Sequence, residues 1–208
     1  MLIDQKEVGT ILANANIPIS GVLHIGAHDC EELGFYSSLD VSPNDIVWID
    51  AISEKVDEAK KRGIPNVYRA VITDKDDAVV TFNVSNNVQS SSILNLKTHL
   101  QEHPWVHYVK SILVNTITID TFFSRNSIDP TKYTFWNLDI QGAELLALTG
   151  ATESLTHAKA LYLEVNINEL YENCALIEQL DTFLTPHGFK RVKTHMTQHG
   201  WGDALYIK

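Results

Sequence analysis

Asp139 ends one apolar run and Glu164 and Asn166 end the next, so three oxygen-bearing side chains stand where two strands would stop. In an extended chain the spacing of Glu164 and Asn166 turns both to one side. Carboxylates placed this way can take a proton from a poor nucleophile such as an alcohol. With the carboxamide they also make a hard oxygen set for magnesium or manganese, which would lower the pKa of a bound hydroxyl. Glu144 adds an acid just beyond Asp139. Both have structural readings as well, Asp139 as a helix cap and Glu144 as a complement to the helix dipole. Among nine histidines, His28 is best placed to act as a base, because it sits in a glycine-bearing turn; His195 and His199, near the end of the chain, are weaker candidates.

These groups need a scaffold. Runs rich in Val, Ile, Leu and aromatics at 21–25, 45–50, 67–72, 134–139 and 160–165 are nearly all apolar, as expected of strands covered by helices on both faces. Between them, segments 31–39, 53–62, 143–155 and 175–184 space their apolar residues by three and four, which predicts helices. The alternation implies an α/β domain with a mostly parallel sheet. Segment 78–84 reads as an extra strand running into a polar loop at 86–92, and 189–208 as a closing antiparallel hairpin. The 208 residues suffice for one domain spanning 1–208.

Open α/β sheets bind ligands beyond the carboxyl ends of their strands. After the first run comes Gly26-Ala27-His28-Asp29-Cys30-Glu31-Glu32, a tight strand-to-helix turn; after the second comes Asp50, at about the spacing where dinucleotide folds place a ribose carboxylate. A nucleoside cofactor is the expectation. The last glycine of the diphosphate fingerprint is missing and two acids stand near its place, so a sulfonium with an amino-acid tail suits the turn better than NAD.

The segments His24-Ile25-Gly26-Ala27-His28-Asp29-Cys30, Trp48-Ile49-Asp50-Ala51 and Asn137-Leu138-Asp139-Ile140-Gln141-Gly142-Ala143-Glu144, with Ser90-Ser91-Ser92 and Gly200-Trp201-Gly202-Asp203-Ala204, resemble the FkbM-family methyltransferases. His24, Cys30 and Gln141 depart from that pattern, where an acid, a glycine and a glutamate are usual. The resemblance implies a class I (Rossmann-like) methyltransferase fold, with a seven-stranded, mostly parallel sheet flanked by helices and ending in an antiparallel hairpin. It implies S-adenosylmethionine held by Gly26, Ala27, His28, Glu32, Asp50, Ala51, Ala70, Val71 and Asp139. Asp139, Glu144, Glu164 and His28 become the candidate catalytic residues, and Asp139, Glu164 and Asn166 the candidate metal ligands.

For the acceptor, Ser90, Ser91, Ser92, Asn166 and Trp201 are the expected contacts, the serines through hydroxyls suited to a polyol and Trp201 by stacking on a sugar face. With 16 basic against 26 acidic residues and a formal charge of −10, nucleic acid is excluded as a partner. The expected acceptor is a hydroxyl on a small molecule or glycan, and the resemblance favours a sugar, such as the deoxyhexose rhamnose. An NAD-dependent oxidoreductase and a non-catalytic cofactor-binding module of the same fold are the rival readings. The first residues carry acids where a signal peptide has a basic region, and no run of about 20 apolar residues occurs, so a soluble cytoplasmic protein without membrane insertion is expected. Two cysteines, Cys30 and Cys174, form no zinc-type spacing.

Overall fold

The computed structural model describes residues 1–208. Helix α1 (Gln5–Asn14) starts at Asp4, whose carboxylate accepts from the backbone N–H groups of Lys6 and Glu7. The main sheet is built from β1 (Val22–Ile25), β2 (Ile46–Asp50), β3 (Val67–Arg69), β7 (Phe135–Leu138), β8 (Ala160–Asn166), β9 (Lys190–Met196) and β10 (Trp201–Ile207). Its order is β3-β2-β1-β7-β8-β10-β9, with β10 antiparallel to both neighbours and the remaining pairs parallel. Strand order therefore reverses between β1 and β7, and the crevice beyond their carboxyl ends is where such sheets bind ligands.

Both faces of the sheet are buried, and successive side chains feed alternate cores. Leu23, Ile25, Ile49, Trp136, Leu138 and Leu163 enter one core. Val22, Ile46, Trp48, Phe135 and Tyr162 enter the other. Helices α2 (Leu33–Ser38), α3 (Ser53–Lys61), α6 (Glu144–Thr149) and α7 (Ile177–Leu184) fall within the segments predicted for them. The third is shorter than its spacing predicts: the Cβ of any other residue at Gly150 would meet the Thr73 carbonyl oxygen at 2.3 Å, and the chain leaves the helix there.

The run at 67–72 is not one strand. It breaks at Ala70, whose N–H donates to the Asp50 carbonyl at 3.1 Å. Its second half, β4 (Val71–Ile72), leaves the main sheet and pairs with β6 (Tyr108–Ile117), which also pairs antiparallel with β5 (Val79–Ser85). The ten-residue β6 escaped the sequence reading because Lys110, Ser111 and Asn115 interrupt its apolar residues, and the strand is largely exposed. Helices α4 (His99–Glu102), between β5 and β6, and α5 (Ile119–Arg125), after β6, were likewise not foreseen. No helix is long and apolar enough to cross a membrane.

Candidate functional site

One cavity of about 540 Å³ opens beyond the carboxyl ends of β1, β2, β7 and β8, within the size range of small-molecule sites. Gly26 stands at its floor with φ of +88°. A Cβ there would lie 1.8 Å from the Asp139 carbonyl oxygen, so the glycine lets the turns after β1 and β7 press together. Gly26 also lines the cavity.

Asp50 ties the next two turns to each other. One carboxylate oxygen accepts the His28 N–H and the other the Ile52 N–H, each at 2.8 Å. Each oxygen keeps acceptor capacity for a ribose hydroxyl. Burial pushes the Asp50 carboxyl above its ordinary range, and the two backbone N–H groups pull it back. Ala51, Ala70 and Val71 line the cavity beside Asp50, and Glu32 lines it beyond the first turn. Ala27 is buried and off the wall. His28 reaches the wall with its Nδ1 3.1 Å from Glu31 and 3.4 Å from Asp29, which Lys55 also holds at 3.0 Å.

At the far side of the sheet reversal Asp139 and Glu164 face each other. The Gln141 side-chain amide donates to Asp139 at 2.8 Å and to Glu164 at 2.5 Å. The Tyr171 hydroxyl donates to the Gln141 carbonyl oxygen at 2.7 Å, which fixes the direction in which the amide points. Burial, and then the Asp139 charge, hold the Glu164 carboxyl well above the usual carboxylate range. Asp139 is exposed to the cavity whereas Glu164 is buried, so the pair presents one open carboxylate backed by a proton-retaining partner.

Glu144 is fully enclosed and does not line the cavity. Its carboxylate accepts from the N–H groups of Ile140 at 2.9 Å and Gly142 at 3.3 Å, which closes the turn carrying Asp139 and Gln141. Asn166 is buried at the end of β8 without a hydrogen-bond partner and off the wall. The three expected metal ligands are thus not gathered. Gln141 N–H donors stand between the Asp139 and Glu164 carboxyls, and Asn166 does not join them.

Ser90 and Ser91 line the cavity; Ser92 does not, and donates instead to the Gln141 carbonyl at 2.9 Å. Most of the polar capacity of the 86–92 loop is directed inward, with Asn87 bonded to Ser85 and Ser90, and Ser91 to Val88. Trp201 lines the same end, near Leu170 and Tyr171. His99, on α4, lies against Tyr171 at 5.4 Å and His103 at 4.9 Å. It is buried, its Nδ1 has no partner, and burial lowers its pKa to about 4. His195 lies off the wall, and His199 pairs with Glu102 at 2.6 Å.

The sequence reading missed His24, His99, Gln141, Tyr171 and Asp203. Gln141 and His24 had left a signal as departures from the family pattern, and Asp203 as part of the 200–204 segment; His99 and Tyr171 had left none. His24 Nδ1 lies 3.0 Å from the Tyr36 hydroxyl, and burial lowers its pKa to about 4.

Among known proteins, the chain is similar over 83 residues, at 36% identity, to the 2-O-methyltransferase NoeI of Sinorhizobium fredii. That stretch is 40% of this chain, and the chain spans about a third of the relative's length, 33%. The magnesium protoporphyrin IX methyltransferase (ChlM) from Synechocystis PCC 6803, solved with bound SAM, overlays 98% of this chain and 77% of its own at 12% identity and a TM-score of 0.46. A SAM dependent methyltransferase from Aquifex aeolicus overlays 100% of this chain and 91% of its own at 13% identity and a TM-score of 0.42. The family model of the methyltransferase FkbM domain matches residues 24–191, which include both turns, Asp50 and the clamped carboxyl pair, and the chain belongs to that family.

Proposed function

We propose that this chain transfers a methyl group from S-adenosylmethionine to a hydroxyl of a sugar or glycan. The carrying observation is the charge of the cavity wall. Glu31, Glu32, Asp50, Asp139 and Asp203 line it beside the proton-retaining Glu164, and no Lys or Arg does. A cationic sulfonium suits that wall, and the diphosphate of NAD does not. Family membership and the 2-O-methyltransferase name of the NoeI relative support transfer to oxygen.

The residues present fit the cofactor. Asp50 offers acceptors for ribose hydroxyls, and Ala51, Ala70 and Val71 leave room for a flat base. When bound, S-adenosylmethionine supplies a methyl carbon already activated by positive sulfur. The chain's task is then alignment and proton removal. With the methyl donor bound, the acceptor hydroxyl would be aligned on that carbon, and Asp139 would take its proton. Gln141 and Glu164 hold the Asp139 carboxylate in place, a preorganisation that supports general-base assistance of about 10²–10⁴-fold.

Binding calorimetry with S-adenosylmethionine and NAD, followed by mass spectrometry for the gain of one CH₂ on sugar acceptors, tests the reading. Binding of NAD in place of S-adenosylmethionine would overturn it. A magnesium or manganese site at Asp139 and Glu164 is the competing way to activate the hydroxyl. Full activity in EDTA discards it, and loss restored by either ion would install the metal in place of the Asp139 base.

A further inference from the structure

We propose that the acceptor is an uncharged glycoside, methylated after the sugar has left its nucleotide carrier, and that nucleoside-diphosphate sugars are not substrates. This deepens the function proposed above and rests on it. Apolar and aromatic side chains, Phe82, His99, His103, Trp105, Leu170 and Trp201, line the acceptor end beside the uncharged Ser90 and Ser91, none with a permanent charge. Burial lowers the pKa of both imidazoles, and each is lowered further by a neighbouring histidine, so neither is a standing cation at neutral pH.

A diphosphate entering this end would need compensation that the wall lacks. No Lys or Arg lines it, and the Asp139 carboxylate stands at its inner limit. Lys97, close in the chain to α4, is already paired with Glu169. Phosphates can also be held by backbone N–H groups, but the loop offers few. The N–H groups of Asn86, Val88, Gln89, Ser90, Ser91 and Ser92 are all bonded within the protein, to His107, Ser85, Asn87, Asn87, Val88 and Asn83.

An uncharged sugar ring fits what is present. The exposed Trp105 and half-buried Trp201 offer aromatic faces for its C–H side, and the unpartnered Nδ1 of His99 lacks the hydrogen bond that a sugar hydroxyl could supply. The reaction class that supplies the substrate is glycosyl transfer, which releases the nucleotide before methylation.

The test uses the full chain with S-adenosylmethionine and two acceptors bearing one sugar, a neutral glycoside and its nucleoside-diphosphate form, with methyl transfer read by mass. The glycoside should be preferred by roughly a hundredfold or more in kcat/KM, the consequence of placing like charges together. Equal or better transfer to the nucleotide sugar would overturn this inference and leave the methyltransferase reading standing. If S-adenosylmethionine binds and a broad panel of sugars in both forms is untouched, the sugar reading falls and takes this inference with it. A Leu170→Lys variant that gains transfer to the nucleotide sugar relative to the glycoside would support the charge argument directly.

Discussion

The Gln141 side-chain amide lies 2.8 Å from the Asp139 carboxylate, and its second hydrogen bond reaches Glu164. An amide can bridge two acids because it brings hydrogens and no charge, and Tyr171 keeps it facing that way. Gln141→Glu would put a third carboxyl against the pair. We expect activity at neutral pH to fall at least tenfold, about 1.4 kcal/mol, and the pH–rate profile to move to lower pH, where one more proton is held. An unchanged profile would remove Gln141 from the reacting end. Activity that appears only with added magnesium would show that the acids prefer a cation once the donor is gone.

Asp50 should bear on cofactor affinity. Asp50→Ala removes a charged acceptor and frees the His28 and Ile52 N–H groups, and should weaken S-adenosylmethionine binding by about 1.5–3 kcal/mol. Asp50→Asn keeps one acceptor and should lose less. Calorimetry that finds both variants binding like the parent would detach Asp50 from the ribose.

Gly26→Ala tests the contact between turns. The added methyl meets backbone at 1.8 Å while φ stays in the left-handed region. Strain on that scale belongs with the large destabilisations, roughly 3 kcal/mol or more. A melting temperature within a degree or so of the parent would mean that the turns part without cost.

Glu144 gives a pH-dependent signature. Burial pushes its carboxyl up to about 7, against the pull of the two N–H groups it accepts. Between pH 4.5 and 7 the folded chain holds a proton that the unfolded chain has released, so stability falls as pH rises through that window. Glu144→Gln keeps the acceptor and removes the titration. The parent should lose on the order of 2–3 kcal/mol more than the variant between pH 5 and 7.5 in urea unfolding, as an upper bound. Parallel pH dependences would show that Glu144 is already ionised in the fold.

The sheet was legible because its central strands, covered on both faces, are nearly unbroken apolar runs, and the acids that close them stand out. Asp50 and Asp139 could be placed from that rule alone. The end of the cavity around His99 and Trp201 was far less legible. β6 is broken by Lys110, Ser111 and Asn115, and α4 is one short turn, so neither announces that it carries or flanks a wall residue. His99 matters through its neighbours Tyr171 and His103, and the pairing across 72 positions with Tyr171 leaves no local pattern. Glu144 and Asn166 show the converse: residue types suited to chemistry that the fold turns away from the cavity.

Strand β10 lies between β8 and β9, although it follows both in the chain. The edge of β8, with Glu164, therefore stays open until the last hairpin has formed and docked, a late non-local step that tends to slow folding. Because β10 carries Trp201 and Asp203, the segment that seals this aggregation-prone edge also completes the cavity wall, so a molecule that has not finished its sheet has no closed cavity to offer.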